Sequence, residues 1–291
     1  MRKLFRSVAV CALGVGLSAF SIAVAQTYTT VDYPGATATT LNGGPNPQGT
    51  SVGTYTDSSG VTHGFKVTAS GHFTAFDPPG SKATTPNFID PEGTIVGGYI
   101  DAGGVSHGFV LTGGHYRNVD YPGAAGTVLS SINPWGEMSG FSCSSDPTCN
   151  NGPFLSFTVS PRGAFTGFNP PGSNSSQASV VNALGLVVGA YSDSSNNVHG
   201  YAFFNNHFVT TDYPGAVFTF DGGLNVQGDI VGEYQNSDQV PHSFLLRNGH
   251  YTGFDPPGAT ASDASGINVE GTIIGLYADS AGAVHGFIRR P

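Results

Sequence analysis

The chain has 291 residues, with 43 Gly and 19 Pro but only 10% charged side chains, and its nineteen Asp and Glu outnumber ten Lys and Arg. So many turn-forming residues among periodic Tyr, Phe, Val and Ile describe short strands joined by tight turns, not a disordered chain. The acidic balance argues against a nucleic-acid partner and against docking on an anionic membrane surface.

The first 25 residues stand apart. Arg2, Lys3 and Arg6 precede an apolar run from Val8 to Val24 that ends in Ala23-Val24-Ala25. A basic start, a short apolar centre and a small-x-small end make a secretory signal peptide, too short and wrongly flanked for a membrane anchor. We expect cleavage after Ala25 and a secreted chain, extracellular or periplasmic, that forms one domain over 26–291. Its loss removes three basic residues and no acidic one, leaving seven against nineteen, a net charge of −12. Cys11 sits inside the apolar run and does not mark lipid attachment.

From Tyr28 onward one unit recurs six times. Its landmark turn reads Asp32-Tyr33-Pro34-Gly35, Asp77-Pro78-Pro79-Gly80, Asp120-Tyr121-Pro122-Gly123, Asn169-Pro170-Pro171-Gly172, Asp212-Tyr213-Pro214-Gly215 and Asp255-Pro256-Pro257-Gly258. Successive copies start 45, 43, 49, 43 and 43 residues apart, the range for four short strands per propeller blade. Tyr-Pro-Gly alternates with Pro-Pro-Gly, which implies a pair of blades that was later tripled.

Within a copy the landmark leads to a weak first strand such as Val128–Ile132. A second follows over Gly93–Asp101, a third over Val105–Leu111, and a fourth over His115–Asp120, which enters the next landmark. Asn46-Pro47-Gln48-Gly49, Asp90-Pro91-Glu92-Gly93 and Asn133-Pro134-Trp135-Gly136 join first to second strands as tight turns. Asp57-Ser58-Ser59-Gly60 and Asp279-Ser280-Ala281-Gly282 do the same between second and third. The chain starts with a fourth strand, Thr29–Asp32, and stops after a third, Ala283–Ile288. One strand from the N-terminus can therefore complete the last unit, hiding its edge. The pattern predicts an all-β fold, a six-bladed β-propeller of about 43-residue repeats closed by that strand; the alternative is a β-solenoid.

Gly-x-Ile-Val-Gly-x-Tyr followed about eight residues later by His-Gly-Phe, with Asn-Pro-x-Gly before it, resembles the HAF repeat of bacterial extracellular proteins. Gly64, Gly108, Gly200, Gly286 and, in the fifth copy, Ser243 stand where that family often has Ala. The resemblance covers nearly all of the mature chain and implies secretion and a propeller-like fold; it implies no reaction.

All nine histidines lie in the repeats. His63, His107, His199, His242 and His285 precede the Gly-Phe or Ser-Phe landmark. Asp57, Asp101, Asp193 and Asp279 each stand six residues before one of them, across a hairpin, so a carboxylate can fix an imidazole tautomer. A pair repeated four times reads as structural, because a repeat fold satisfies the same buried polar group the same way in each unit. No His or Cys cluster has metal-ligand spacing, and the hairpin Asp-Ser-Ser-Gly lacks the acidic density of a calcium loop, so neither metal nor cofactor is expected. No nucleophile motif or phosphate-cradling loop occurs.

The alternating tyrosines are the candidate ligand site. Tyr33, Tyr121 and Tyr213 are expected on the turn face beside Asp32, Asp120 and Asp212, where flat aromatics and carboxylates suit a sugar. The plainer reading makes Tyr-Pro and Pro-Pro interchangeable wedges between blades. The third copy departs from the rest: it is 49 residues long, has Leu155 in place of the landmark His, and carries the lone Trp135 and Cys143 with Cys149. Two cysteines in an exported chain read as a disulfide, here pinning an insertion on the turn face that is either a recognition loop or a decorated surface turn, with Trp135 on the opposite face. The expected function is a monomeric, non-enzymatic propeller that binds an extracellular glycan. The alternatives are a glycan-active hydrolase or lyase with carboxylates at the axial pocket, and a structural module for an envelope protein.

Overall fold

Twenty-four short strands follow one another with no intervening helix in the computed structural model, which describes residues 26–291. The signal peptide expected over 1–25, with Cys11, lies outside the described residues. After β1 (Thr27–Val31) come β2 (Ala38–Gly43), β3 (Ser51–Thr56), β4 (Thr62–Val67) and β5 (Phe73–Phe76), then β6 (Ala83–Ile89), β7 (Ile95–Ile100), β8 (Ser106–Thr112) and β9 (His115–Asn118). The third unit is β10 (Gly126–Ile132), β11 (Met138–Cys143), β12 (Phe154–Val159) and β13 (Phe165–Phe168), and the fourth β14 (Ser175–Val181), β15 (Val187–Ser192), β16 (Val198–Phe204) and β17 (His207–Thr210). The chain ends with β18 (Phe218–Leu224), β19 (Ile230–Gln235), β20 (Pro241–Arg247), β21 (His250–Phe254), β22 (Ala261–Ile267), β23 (Ile273–Ala278) and β24 (Val284–Arg290).

The strands pair antiparallel in fours, each with its chain neighbour. A single parallel bridge, Val198 opposite Phe218, links the fourth and fifth units into one sheet. In the last sheet the order is β22, β23, β24 and then β1, with Thr27 opposite Arg290 and Val31 opposite Gly286. The strand missing from the C-terminal copy is thus supplied from the N-terminus. First strands touch in succession, β2 on β6, β6 on β10, and so on to β22, which touches β2.

A four-stranded sheet of this size has two apolar faces and cannot bury either within itself, so the core lies between units. Val52 meets Ile89, Ile95 and Phe109; Val96 and Val110 meet Leu129 and Phe157; Phe168 packs on Ala178, Val181 and Val187. Val188 meets Leu224 and Phe244, Val231 meets Ile273 and Phe287, and Ile274 meets Leu41 and Phe65. At the centre of these interfaces stands the aromatic of the His-Gly-Phe landmark: Phe65, Phe109, Phe157, Tyr201, Phe244 and Phe287 are all at most 1% exposed. Burying each such ring contributes about 2–3 kcal/mol.

Every first strand carries a β-bulge at one equivalent place, such as Ala264/Gly266 in β22 and Leu41/Gly43 in β2. The bulge pushes a carbonyl against the second strand, where only glycine fits. A Cβ on Gly275 would collide with the Asp263 carbonyl oxygen, and one on Gly53 with that of Thr40. This explains the invariant second glycine of Gly-x-Ile-Val-Gly-x-Tyr within the repeat. Gly275→Ala should therefore lower stability by about 3 kcal/mol, read as a shifted denaturant midpoint; an unchanged midpoint would show that the bulge relaxes freely.

Candidate functional site

The landmark histidines begin the third strand of their unit and lie opposite a second-strand tyrosine: His63 by Tyr55, His107 by Tyr99, His199 by Tyr191, His242 by Tyr234 and His285 by Tyr277. The paired rings are 5.0–5.4 Å apart. Each Nδ1 meets the carboxylate of a landmark turn: His63 with Asp77 at 2.7 Å, His107 with Asp120 at 3.0 Å, His199 with Asp212 at 2.8 Å, His242 with Asp255 at 2.9 Å and His285 with Asp32 at 2.8 Å. In four copies Nε2 lies 3.5–3.6 Å from the hairpin carboxylate of Asp57, Asp101, Asp193 or Asp279. The second oxygen of Asp77, Asp120 and Asp212 accepts the backbone N–H of Gly64, Gly108 and Gly200 at 3.2–3.3 Å.

These contacts set the charge of the ring. The Asp77 hydrogen bond raises the His63 imidazole above its ordinary value, and Asp32 does so for His285; at His199 burial opposes, but Asp212 and Asp193 prevail. Hydrogen bonds from the Val61, Val105 and Ala283 backbone lower Asp57, Asp101 and Asp279, and the Asn197 side chain lowers Asp193.

The structure gives the residues of the expected ligand site partners within the protein. Asp32, Asp120 and Asp212 are not free carboxylates beside a sugar platform; they are the near partners of His285, His107 and His199. The hairpin aspartates, expected to hold the imidazoles, are the longer contacts. The tyrosines are half-buried and wedge into the unit that follows. Tyr33 stacks on Tyr55 at 3.8 Å and meets Phe73 edge-on at 5.4 Å. Tyr213 stacks on Tyr234 at 3.7 Å and meets Tyr251 at 5.4 Å, while Tyr121 packs on Phe157 at 5.3 Å and Phe165 at 5.4 Å. The alternation with proline has a backbone reason as well. Tyr33, Tyr121 and Tyr213 donate their N–H to Thr39, Thr127 and Thr219 at 2.9–3.0 Å. Proline has no N–H, and in two proline copies the equivalent hydroxyl turns to the landmark side chain: Ser176 donates to Asn169 at 2.5 Å and Ser262 to Asp255 at 2.6 Å.

In the third copy Ser142, Leu155 and Asn169 replace the Tyr, His and Asp together. Cys143 and Cys149 are bridged, with Cα atoms 5.5 Å apart. The loop between them is fixed by Asp146, which hydrogen bonds from the Thr148 hydroxyl and backbone and from Asn151 lower to about 2. Its Pro147 carbonyl accepts the Ser106 N–H at 2.7 Å, fastening the loop to the second unit.

That loop borders a central cavity of about 580 Å³. Thr148, Cys149 and Asn150 form one side of its mouth, near Thr62, Ala83 and Ser106, on the side of the landmark turns. Deeper down, all six first strands contribute: Asn42, Thr85 and Asn87, Val128 and Ser130, Gln177 and Ser179, Phe220, and Asp263 with Ser265. The sequence reading missed these residues, though a period-2 count along each first strand would have set them on one face. At the opposite end, turn asparagines clasp neighbouring units: Asn46 Nδ2 donates to the Asp90 carbonyl at 3.2 Å, Asn133 to Asn182 and Asn182 to Asn225 at 3.1 Å, and Asn225 to Asn268 at 3.2 Å. Trp135 lies on this far end, 71% exposed, with Nε1–H on the Ala183 carbonyl at 3.0 Å. Among the described residues no group of three or more His, Cys, Asp or Glu is arranged to hold a metal ion, and no helix is long and apolar enough to cross a membrane.

No protein-family model matches the chain, and no curated protein matches it in sequence. Solved structures do resemble it in fold. A triple mutant of AofleA from Arthrobotrys oligospora superposes with a TM-score of 0.57 at 10% identity, over 90% of this chain and 86% of that one. The Aleuria aurantia lectin, described as a six-bladed β-propeller with a novel fucose recognition mode, gives 0.52 at 10% identity over 89% and 93%. A gluconolactonase from Xanthomonas campestris gives 0.51 at 13% identity, over 88% of each chain. At such identities the likeness concerns the fold alone, which is all-β and propeller-like.

Two outcomes test the latches and the loop. Folding raises the three imidazoles, so their contribution is complete below the ordinary value of 6.5 and is lost as pH climbs through the folded-state value. The hairpin aspartates are lowered, so theirs is present above the ordinary 3.8 and is lost as pH falls through the folded value. The melting temperature should thus peak between about pH 4 and pH 6.5 and decline toward pH 8, and His63→Ala with His285→Ala should flatten the alkaline limb. Replacing both cysteines by serine should cost about 2 kcal/mol in chemical denaturation, the value for closing so short a loop.

Proposed function

We propose that the chain is a secreted carbohydrate-binding protein, a closed six-bladed β-propeller that holds its ligand in the central cavity without transforming it. Closure is supported by the β1–β24 pairing, by the cluster joining Ile274 to Leu41 and Phe65, and by the Ser265 hydroxyl, which donates to the Leu41 carbonyl at 2.6 Å. Secretion is supported by the basic, apolar and small-residue pattern of the first 25 residues. The motifs around His-Gly-Phe support placing the repeat with the HAF family.

One observation carries the ligand class. The cavity mixes hydroxyl and amide side chains with the rings of Tyr99, Phe141 and Phe220, and a disulfide-pinned loop borders its mouth. Hydroxyls and amides hydrogen bond to sugar hydroxyls, while an aromatic face packs on sugar C–H bonds. The Aleuria lectin serves fucose recognition on a similar fold, which agrees with this reading. Asp263 favours a second one, hydrolysis or elimination on a glycan. Among the described residues a single carboxyl lines the cavity, however, whereas glycoside hydrolysis takes a facing pair.

The test incubates the chain from Gln26 onward with a panel of polysaccharides, measuring bound protein and released sugar together. Binding without release is expected. Phe220→Ala and Gln177→Ala should each weaken it roughly 10-fold at an unchanged melting temperature, whereas Tyr33→Ala should lower the melting temperature. Release of sugar would establish the catalytic reading, and absence of any binding would leave a protein-interaction platform.

A further inference from the structure

Just before their bulges the six first strands present equivalent residues: Thr40, Thr85, Val128, Gln177, Phe220 and Asp263. Five are neutral, and among the described residues Asp263 is the one charged side chain lining the central cavity, with no Lys, Arg or His beside it. Its Oδ1 is sealed from solvent and has no hydrogen-bond partner. On the neighbouring strand β19, half-buried Glu233 brings a second carboxyl, held by Gln235 Nε2 at 2.6 Å. Burial first, and then the charge of Glu233, push the Asp263 carboxyl up to about 7.

This arrangement is unfavourable for the protein by itself. An unpartnered buried polar oxygen is costly, and a like-charged neighbour adds to that cost. An apolar residue, as at Val128 or Phe220, would fill the same place without it. The missing element is a cationic donor. We propose that the central cavity takes a ligand bearing a protonated amine and that Asp263 is the residue that binds it. Resting on the carbohydrate reading, this makes the ligand class an amino sugar with its amine free. Asp263 is half-buried and lines the cavity, so it accepts from the ammonium at Oδ2, the oxygen that is not sealed; Glu233 deepens the negative potential behind it, and Phe220, next in the ring, offers a face on which sugar C–H bonds or the cation pack. Gln177 and Ser265 remain for the hydroxyls. An N-acetylated sugar would bring a neutral amide and leave Asp263 without a counter-charge.

Calorimetry at pH 7 with a glucosamine disaccharide and its N-acetylated counterpart tests this. The wild-type chain should bind the free amine on the order of 10- to 100-fold more tightly, the range for a charge-assisted hydrogen bond. Asp263→Asn should erase the preference while keeping or raising the melting temperature, and Glu233→Gln should reduce it. The Glu233 variant carries the test if Asp263→Asn does not fold. Since Asp263→Asn changes the net charge by only one, a preference that survives it comes from the general acidity of the chain, and the assignment falls. Equal affinity for both sugars also overturns it while leaving the carbohydrate reading intact; no binding of these or any other glycan removes both.

Discussion

Every structural choice in this chain follows from one burial problem: each four-stranded unit has two apolar faces and can cover them only with its neighbours. The six apolar clusters all straddle successive units, and the ring of the His-Gly-Phe landmark is the plug of each interface. Sheets set this close must admit backbone against backbone, hence the bulge in the first strand and the glycine facing it in the second. Repetition is thus a thermodynamic requirement, because a unit without a neighbour has no core.

Polar groups obey the same economy. Each landmark histidine carries a tyrosine against its ring and a landmark carboxylate on Nδ1, and that carboxylate in turn tethers the turn that enters the next unit. The set acts as one latch between the third strand and the connection leaving the sheet. Its members vanish together in the third copy, where Ser142, Leu155 and Asn169 replace them and the bridge from Cys143 to Cys149 holds the loop instead. An imidazole without its carboxylate, or a carboxylate without its imidazole, would leave an unmatched polar group, so joint loss is the favourable exchange.

The central cavity is where the repeat is broken. Five of the equivalent first-strand positions line the central cavity with Thr85, Val128, Gln177, Phe220 and Asp263, five different side chains, and the disulfide loop is fastened across one side of the mouth. A framework whose stability is supplied by identical interfaces can vary the residues that no interface needs, and the first-strand residues turned away from the clusters are those. Asp263 is the extreme case, a carboxyl whose Oδ1 has no partner within the protein.

The repeat length, the landmark turns, the strand order within a unit and the completion of the last sheet by Thr27–Val31 were all legible in the sequence, since local turn chemistry and period-2 alternation fix them residue by residue. The Cys143–Cys149 pairing was legible for the same reason, its partners being six residues apart. Tyr33, Tyr121 and Tyr213 read as exposed because a turn was taken for a surface, whereas the following unit closes over them. The near partner of each histidine was missed because it stands 13–14 residues away along the chain, or at the opposite terminus for Asp32 and His285. Likewise, Gln177, Phe220 and Asp263 become neighbours only when sheets separated by some 43 residues of chain face one cavity. Sequence determines contacts made through a turn or an adjacent strand; which distant copies share a space is decided by packing between sheets, and no local pattern encodes it.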